Sequence, residues 1–387
     1  MTKPANATEL LGDLIRCPSV TPEEGGALDY LESWLSTRGF TVTRLPYGQD
    51  GEAPSDNLYA RRGTGGQHFC FAGHTDVVPP GDAGDWQEEP FSGAIRDGAL
   101  WGRGAVDMKG GIACFMAAVD RLLHENPSFD QSLSLLITGD EEGPAINGTA
   151  KVVDWMAAND ELPTVCLVGE PTNPEALSDM VKIGRRGSMT SRVEVIGVQG
   201  HSAYPHLAKN PVHALIDFAH TLTNTALDEG TEHFPPSNLA VVSFDVGNPA
   251  NNVIPAKASA MINIRFNDAH SSDSLVKRLE QLAGKIGQNH GVEVTLSHQL
   301  SGESFVFDPD SFATLIADSV EARLGKRPAF STTGGTSDAR FIKALCPVAE
   351  YGLVGRTMHQ VDERVALKDL DQLTEIYHDI LRRFFRT

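Results

Sequence analysis

Long apolar runs are missing from this 387-residue chain, none reaching the roughly 18 residues that a membrane span requires. The opening MTKPANATEL carries a lysine but no apolar segment, so no secretory leader is expected. Basic residues are scarce: 32 Lys and Arg stand against 51 Asp and Glu, a formal net charge of −19. A surface that acidic repels phosphate backbones and anionic lipid heads, which removes nucleic acid and membranes from the expected partners. Cysteine is sparse and odd in number. Cys17, Cys70, Cys114, Cys166 and Cys346 form no C-x-x-C pair, and several sit inside apolar runs such as HFCFAG and TVCLVGE. They read as small buried hydrophobes in a reducing compartment, for which the cytoplasm is the natural location. Internal repeats and low-complexity tracts are absent too. So are a P-loop and a G-x-G-x-x-G following a strand, which disfavours nucleotide binding despite the G-x-G in GRGAVD.

What is present reads as a soluble enzyme. Hydrophobic residues make up 41% and charged residues 21%, and the length exceeds what one hydrophobic core usually serves. The first half alternates short apolar runs (QHFCFAGHTDVV, SLSLLITGDEE, TVCLVGE) with helix-period segments (ALDYLESWLSTRGF, GGIACFMAAVDRLLHE, TAKVVDWMAAND). That alternation predicts an α/β fold with a mostly parallel, doubly wound sheet. From about Gly184 the texture changes to strand, helix, two strands, helix and strand, the split βαβ pattern of a small α+β domain. The doubly wound texture resumes with DSFATLIADSVEARLG and ends in LKDLDQLTEIYHDILRRFF. The expected organisation is a catalytic domain in two segments, 1–183 and 299–387, interrupted by an inserted lid at 184–298.

The chemistry-bearing residues fall at strand ends, where open α/β sheets bind ligands. His74 and Asp76 close one apolar run. Residues i and i+2 of a strand share a face, so the carboxylate can orient the imidazole, although H-x-D alone is equally a polar strand end. Asp107 lies in glycine-rich WGRGAVDMKGG, where it is also placed to cap a helix. Asp140, Glu141 and Glu142 follow another apolar run; three adjacent carboxylates repel one another and need solvent or a compensating cation. Glu170 ends a third run, and His359 stands in GRTMHQVDE near the C-terminal helix. Each signal is weak by itself. Together, two histidines and several carboxylates with no thiolate nearby suit a two-metal hydrolytic centre, in which one glutamate ligates and its neighbour serves as general base.

These motifs, in this order, resemble the zinc peptidase family that includes aminoacylase, carboxypeptidase and acetylornithine deacetylase. The likeness narrows to its desuccinylase branch through GHTDVVPPGD, WGRGAVDMKGG, TGDEEGPAINGT, VGEPT, GRRGS, GVQGHSAYPHLAKNPVH, NNVIPAKASAMINIRF, STTGGTSDARF and MHQVDE, which span nearly the whole chain. The resemblance implies two Zn²⁺ per subunit, with Co²⁺ able to substitute. His74 and Glu170 would hold one ion, His359 and Glu142 the other, and Asp107 would bridge them. It makes Glu141 the general base, Asp76 the partner of His74, and the Asp107–Met108 peptide cis. Aminopeptidase relatives carry Asp where Glu170 stands, so the Glu favours an acylase or desuccinylase. The substrate residues it implies are Arg185, Ser188, His201, Tyr204, Asn251, Asn252 and Arg265, with Gly335 and Thr336 in the resumed segment. The arginines suit a small N-acyl amino acid rich in carboxylates, and His201 suits a developing oxyanion. A homodimer is implied as well, with this histidine reaching across from the partner's lid. One departure is Gly355, where many of the branch carry Asn four residues before the histidine. The alternatives are a deacylase or dipeptidase acting on N-acetylornithine or another N-acyl amino acid, and a non-catalytic metal-binding interaction protein. The complete ligand set together with Glu141 argues against the latter.

Overall fold

The computed structural model describes residues 4–48, 53–307, 309 and 311–387. The first three residues of the opening run and Asp310, at the start of an expected helix, lie outside the described residues. The chain divides into two compact units: 1–183, 307–331 and 337–387 form the first, and 184–306 with 332–336 the second.

The first unit is built on an eight-stranded sheet in the order Thr41–Arg44, Leu58–Arg62, Gln131–Thr138, Gly65–His74, Val165–Val168, Val348–Glu350, Met180–Lys182 and Ala329–Ser331. Its centre is parallel, and the register pairs His74 with Thr138, Ala72 with Val168, and Val168 with Glu350. The C-terminal ends of these strands therefore reach one edge together. Antiparallel strands flank them: Leu58–Arg62 pairs with Gln131–Thr138, and Thr41–Arg44 with Leu58–Arg62.

Period-2 alternation sorts the central strands onto two buried faces. Phe69, Phe71, Leu133, Leu135, Ile137, Val165 and Leu167 enter one core with the helices Lys109–Glu125 and Leu367–Phe385. There Phe71 stacks on Phe115 at 4.1 Å between ring centroids, and Tyr377 meets both rings edge-on. Cys70, Leu136, Cys166 and Val168 alternate with them and are buried as well. On that opposite side Trp155, from the helix Thr149–Ala158, packs on Tyr59. All five cysteines are free, and four are buried.

The second unit is an antiparallel four-stranded sheet ordered Asn238–Asp245, Lys257–Phe266, Gly187–Ile196 and Glu293–Gly302. Helices Pro211–Thr223 and Ser272–His290 share one core with Met189, Val193, Val195, Ala260, Ile262 and Ile264. The alternate positions, Ser188, Thr190, Asn263 and Arg265, carry the polar face, where Asn263 donates to Thr190 Oγ1. The last strand runs on to Gly302, and Phe305–Val306 pairs with Gly184–Arg185. Strand pairing thus holds residues up to 306 in the second unit, seven beyond the last residue of the patterned run GVEVTLSHQ and eight beyond the expected boundary at 298.

Candidate metal centre

Local backbone brings the expected ligands to the sheet edge of the first unit. The strand Gly65–His74 ends on His74, Gln131–Thr138 leads into Asp140–Glu142, and Val165–Val168 leads into Glu170. Asp107 stands just before the helix Lys109–Glu125, and the Asp107–Met108 peptide is cis. That helix begins against the strand ends because its first turn is bare. A Cβ on Gly111 would lie 2.5 Å from the Gly169 carbonyl, and one on Gly110 would lie 2.3 Å from the Ala105 carbonyl.

The Asp107 carboxylate lies between the two histidines. Its Oδ1 is 3.2 Å from His74 Nε2, and its Oδ2 is 3.2 Å from His359 Nε2. Glu170 Oε1 approaches His74 Nε2 at 3.7 Å, and Glu142 Oε1 approaches His359 Nε2 at 2.8 Å. Ligand atoms of His74, Asp107 and Glu142 lie within 4.8 Å of one another, as do those of His74, Glu141 and Glu170. His74 and Asp107 are buried, whereas the His359 side chain is 48% exposed and leaves the cluster one open side.

Asp76 acts differently from the expected carboxylate-to-imidazole contact. The strand stops at His74, so the two side chains do not simply share a strand face. The Asp76 backbone carbonyl, 2.9 Å from His74 Nδ1, makes the closer contact, with the carboxylate at 3.6 Å. That carboxylate accepts from the amides of Glu141 (3.2 Å) and Glu142 (2.9 Å) instead. Asp76 thus sets the ring of His74 with its main chain and the two glutamates with its side chain.

The donor set fits divalent cations. A carbonyl has only lone pairs, so Nδ1 of His74 carries the proton and Nε2 presents its lone pair to carboxylate oxygens. Lone pairs converging on one point need a proton or a cation between them. Burial opposes charge on His74, yet Asp107, Glu170 and Asp76 hold its pKa well above the ordinary value. Hydrogen bonds to Asp107 and Glu142 raise His359 to about 10. Burial is also set against charge on Asp107, but His359 and His74 keep it well below the usual carboxylate range. Burial and the neighbouring carboxylates Asp338 and Glu142 push Glu141 up to about 8, against the pull of His74. Burial and Asp107 likewise raise Glu170 well above its ordinary value. With all four carboxylates ionised, negative charge would exceed what two imidazolium groups offset; the raised Glu141 and Glu170 meet that deficit with protons, and bound cations would meet it in their place.

The roles of two residues here, Asp140 and Asp338, escaped the sequence reading. Asp140, in a run equally readable as a solvated turn, is buried and accepts from the amides of Ala145, Ile146 and Asn147, fixing the loop that carries the glutamates. Asp338 is buried, accepts from Thr149 Oγ1 at 2.6 Å and adds its charge to Glu141. The apolar run before Asp140, in LLITGDEE, is a sequence signal for it, whereas glycine-rich GGTSDARF gives none for the burial of Asp338.

The nine expected substrate residues all fall in the second unit. Arg185 is buried and donates to the Gly335 carbonyl at 3.2 Å, which draws Thr332–Thr336 into that unit. Ser188 and Arg265 are register partners in the sheet. Arg186, passed over in the sequence, donates to Asn238 and lies close enough to Arg265 that burial and this neighbour lower the Arg265 pKa. His201 and Tyr204 are exposed with ring centroids 5.7 Å apart, and the Asn252 carbonyl accepts from Ser202 N at 2.9 Å. Asn251, Gly335 and Thr336 are not buried.

Comparison with known proteins agrees with this geometry. The sequence profile of peptidase family M20/M25/M40 matches residues 70–383. A succinyl-diaminopimelate desuccinylase of Rhodospirillum centenum is 56% identical over 376 residues, covering 97% of this chain and 96% of its own. Among solved structures, a tripeptidase from Staphylococcus aureus superposes with a TM-score of 0.81 at 15% identity, over 99% of this chain and 98% of that one. A dinuclear metal binding peptidase from Bacillus subtilis gives 0.73 at 14% identity, over 98% of each chain. By its sequence and by the chemistry of its buried cluster, the chain belongs to peptidase family M20/M25/M40.

Proposed function

We propose that the chain hydrolyses the amide of N-succinyl-LL-2,6-diaminopimelate, releasing succinate and LL-2,6-diaminopimelate for diaminopimelate and lysine synthesis. The observation that carries a hydrolytic reading is the Asp107 carboxylate set between two histidine nitrogens, with Glu141 beside it. The 56% identity to the desuccinylase of R. centenum supports the choice of substrate.

In this reading His74 and Glu170 would hold one Zn²⁺ and His359 and Glu142 a second, with Asp107 available to both; Co²⁺ would suit the same donors. When bound, the ions polarise the amide carbonyl and make water more acidic. Asp76 keeps the His74 lone pair aimed inward and anchors the amides of both glutamates. Glu141, beside Asp107 and His74, takes the proton of the attacking water and delivers it to the departing amine. His201 is prepared as a donor: Ala203 N donates to its Nδ1 at 3.0 Å, which leaves Nε2–H for the developing oxyanion. Arg185 and Arg265 bind carboxylates of the substrate, helped by Ser188, Tyr204, Asn251, Asn252, Gly335 and Thr336.

The second unit serves in this reading as the lid and dimerisation domain of a cytoplasmic homodimer. Val242 and Phe244 are exposed on the edge strand Asn238–Asp245, an apolar edge that a second copy would cover. The test is steady-state hydrolysis of N-succinyl-LL-2,6-diaminopimelate beside N-acetylornithine and a dipeptide, using chelator-stripped enzyme with and without added zinc. Zinc-dependent cleavage of the succinyl compound alone is expected. Cleavage of another member instead would keep the mechanism and replace the substrate, and silence on all three with metal bound would overturn the hydrolytic reading.

A further inference from the structure

Four residues beyond His359 the chain carries a carboxylate that touches no expected ligand atom and is nevertheless fully buried: Glu363 has no exposed surface. Its two oxygens are divided among four donors. Oε2 accepts from Arg103 Nη1 at 2.6 Å and from Gly104 N at 3.0 Å. Oε1 accepts from Val106 N at 2.9 Å and from Asp107 N at 3.2 Å. Its main-chain carbonyl takes a fifth bond, from Gly102 N at 2.9 Å. Arg103 completes the link by donating to the Gln360 carbonyl at 3.2 Å, next to His359. One carboxylate therefore ties the loop that ends in Asp107 to the loop that presents His359.

We propose that Glu363 is a positioning residue: it holds the Asp107 and His359 loops in register, so that one carboxylate meets both histidines. The strand pair Arg364–Ala366 with Ala99–Trp101 joins the two loops at the end away from the ligands, and Glu363 carries that link on to residues 104–107. Gly104 has φ +84, and a Cβ there would sit 2.7 Å from Val77 Cγ1, so this turn takes its shape from its hydrogen bonds and from close packing. His359 itself has φ +61, a conformation that its surroundings must impose. Charge-assisted bonds from a guanidinium and three amides on one buried carboxylate provide that constraint. The contacts Asp107 makes with His74 and His359, both 3.2 Å, cannot survive an ångström of slippage on both sides. The inference rests on the reading that these residues hold two divalent ions.

The test is E363Q. The amide keeps the volume and one acceptor for Val106 and Asp107, but turns an N–H₂ toward Gly104 N and Arg103. The readout is a titration of chelator-stripped protein with Co²⁺, followed by its visible absorption, alongside the urea midpoint. In the wild-type protein two Co²⁺ bind; if fewer than two bind, the two-ion reading itself fails. In folded E363Q one of the two is expected to bind about 10–100-fold more weakly, the range seen when partners behind a metal ligand are lost, with an altered Co²⁺ spectrum. E363D, which keeps the charge, should recover part of the affinity. Wild-type affinity for both ions in folded E363Q would overturn the proposal, even with a lower urea midpoint. Should neither variant fold, hydrogen exchange on the wild-type protein decides. Amides 104–107 and 357–364 opening at one common rate support the proposal, and independent opening of the two loops overturns it.

Discussion

The two units present their expected functional residues in different ways. In the first, each expected ligand lies against another, with Asp107 contacting both histidines and each histidine meeting a glutamate. In the second, the expected substrate residues form only small groups: Arg185 with Gly335, Ser188 beside Arg265, and His201 with Tyr204. The first arrangement is built by the fold before any ligand arrives, because carboxylates and imidazoles meet there with their pKa values displaced. The second brings its residues together in separate small groups, as expected where the convergence is completed by the substrate. Preorganised charge belongs with the bond-breaking centre and open donors with recognition, so perturbing the two regions should affect different constants.

The sharpest separation comes from Glu141→Ala. Loss of a general base lowers turnover by about 10²–10⁴-fold. The change should fall on kcat, with metal content unchanged, since Asp107, Glu142, Glu170 and both histidines remain. Metal analysis of the purified variant beside its kinetics checks this; a protein that lost metal together with activity would make Glu141 a ligand.

Proton release comes next. Metal ligands must be deprotonated, and in the metal-free protein His359 titrates at about 10 with His74 well above its ordinary value. Loading the site at pH 7 should thus expel protons, and apparent affinity should rise by about tenfold per pH unit for each proton displaced, up to about pH 10. The stability of the metal-free fold moves the opposite way. A histidine whose folded value of about 10 exceeds its ordinary 6.5 stabilises fully below 6.5 and loses that contribution as pH rises through 10. Proton uptake and release followed with an indicator dye during Co²⁺ addition measures the first effect. An absence of released protons would mean the histidines are not the ligands.

Arg265→Met should act only on recognition. Removing one charged hydrogen-bonding partner of a carboxylate costs about 1.5–3 kcal/mol, or roughly 10–150-fold in KM. Metal affinity and kcat should stay within a few-fold, since Arg265 belongs to the second unit and none of the expected ligands does. A fall in metal content would blur the distinction between the regions.

This division also explains what could be read from the sequence. Periodicity marked three strands of the central sheet, Gly65–His74, Gln131–Thr138 and Val165–Val168, and the long helices, and the likeness of motifs gathered residues as far apart as His74 and His359. The antiparallel strands Thr41–Arg44 and Leu58–Arg62 left no such mark, because TVTR and LYARR are short and half polar. Asp140, Asp338 and Glu363 are charged residues in turn-like sequence, and their burial follows from which amides and side chains fold back onto them. Asp76 could be placed beside His74, but which of its oxygens faces the ring depends on where the strand ends. Local pattern determines the elements, whereas long-range closure determines which polar groups are left without water.

The smallest expected effect is at Gly355, where many desuccinylases carry Asn. Its φ lies outside the left-handed region, so a side chain meets no backbone penalty there. A Cβ would stand 3.3 Å from Met358 Sδ and 3.3 Å from the Pro171 carbonyl, close contacts of which the methionine side can give way. The Gly355 amide already donates to the Asn173 carbonyl at 2.8 Å, so the loop is fixed by its main chain and not by the residue type. Gly355→Asn should therefore fold normally and bind metal as before. If the added amide finds the substrate, one neutral hydrogen bond is worth about 0.5–1.5 kcal/mol, lowering KM by roughly 2–13-fold with kcat unchanged. If KM stays constant, the second unit already supplies that contact, and recognition in this chain is complete without the asparagine. A drop in kcat would instead show that the loop carrying His359 had moved, and the effect would pass from the recognition region to the metal centre.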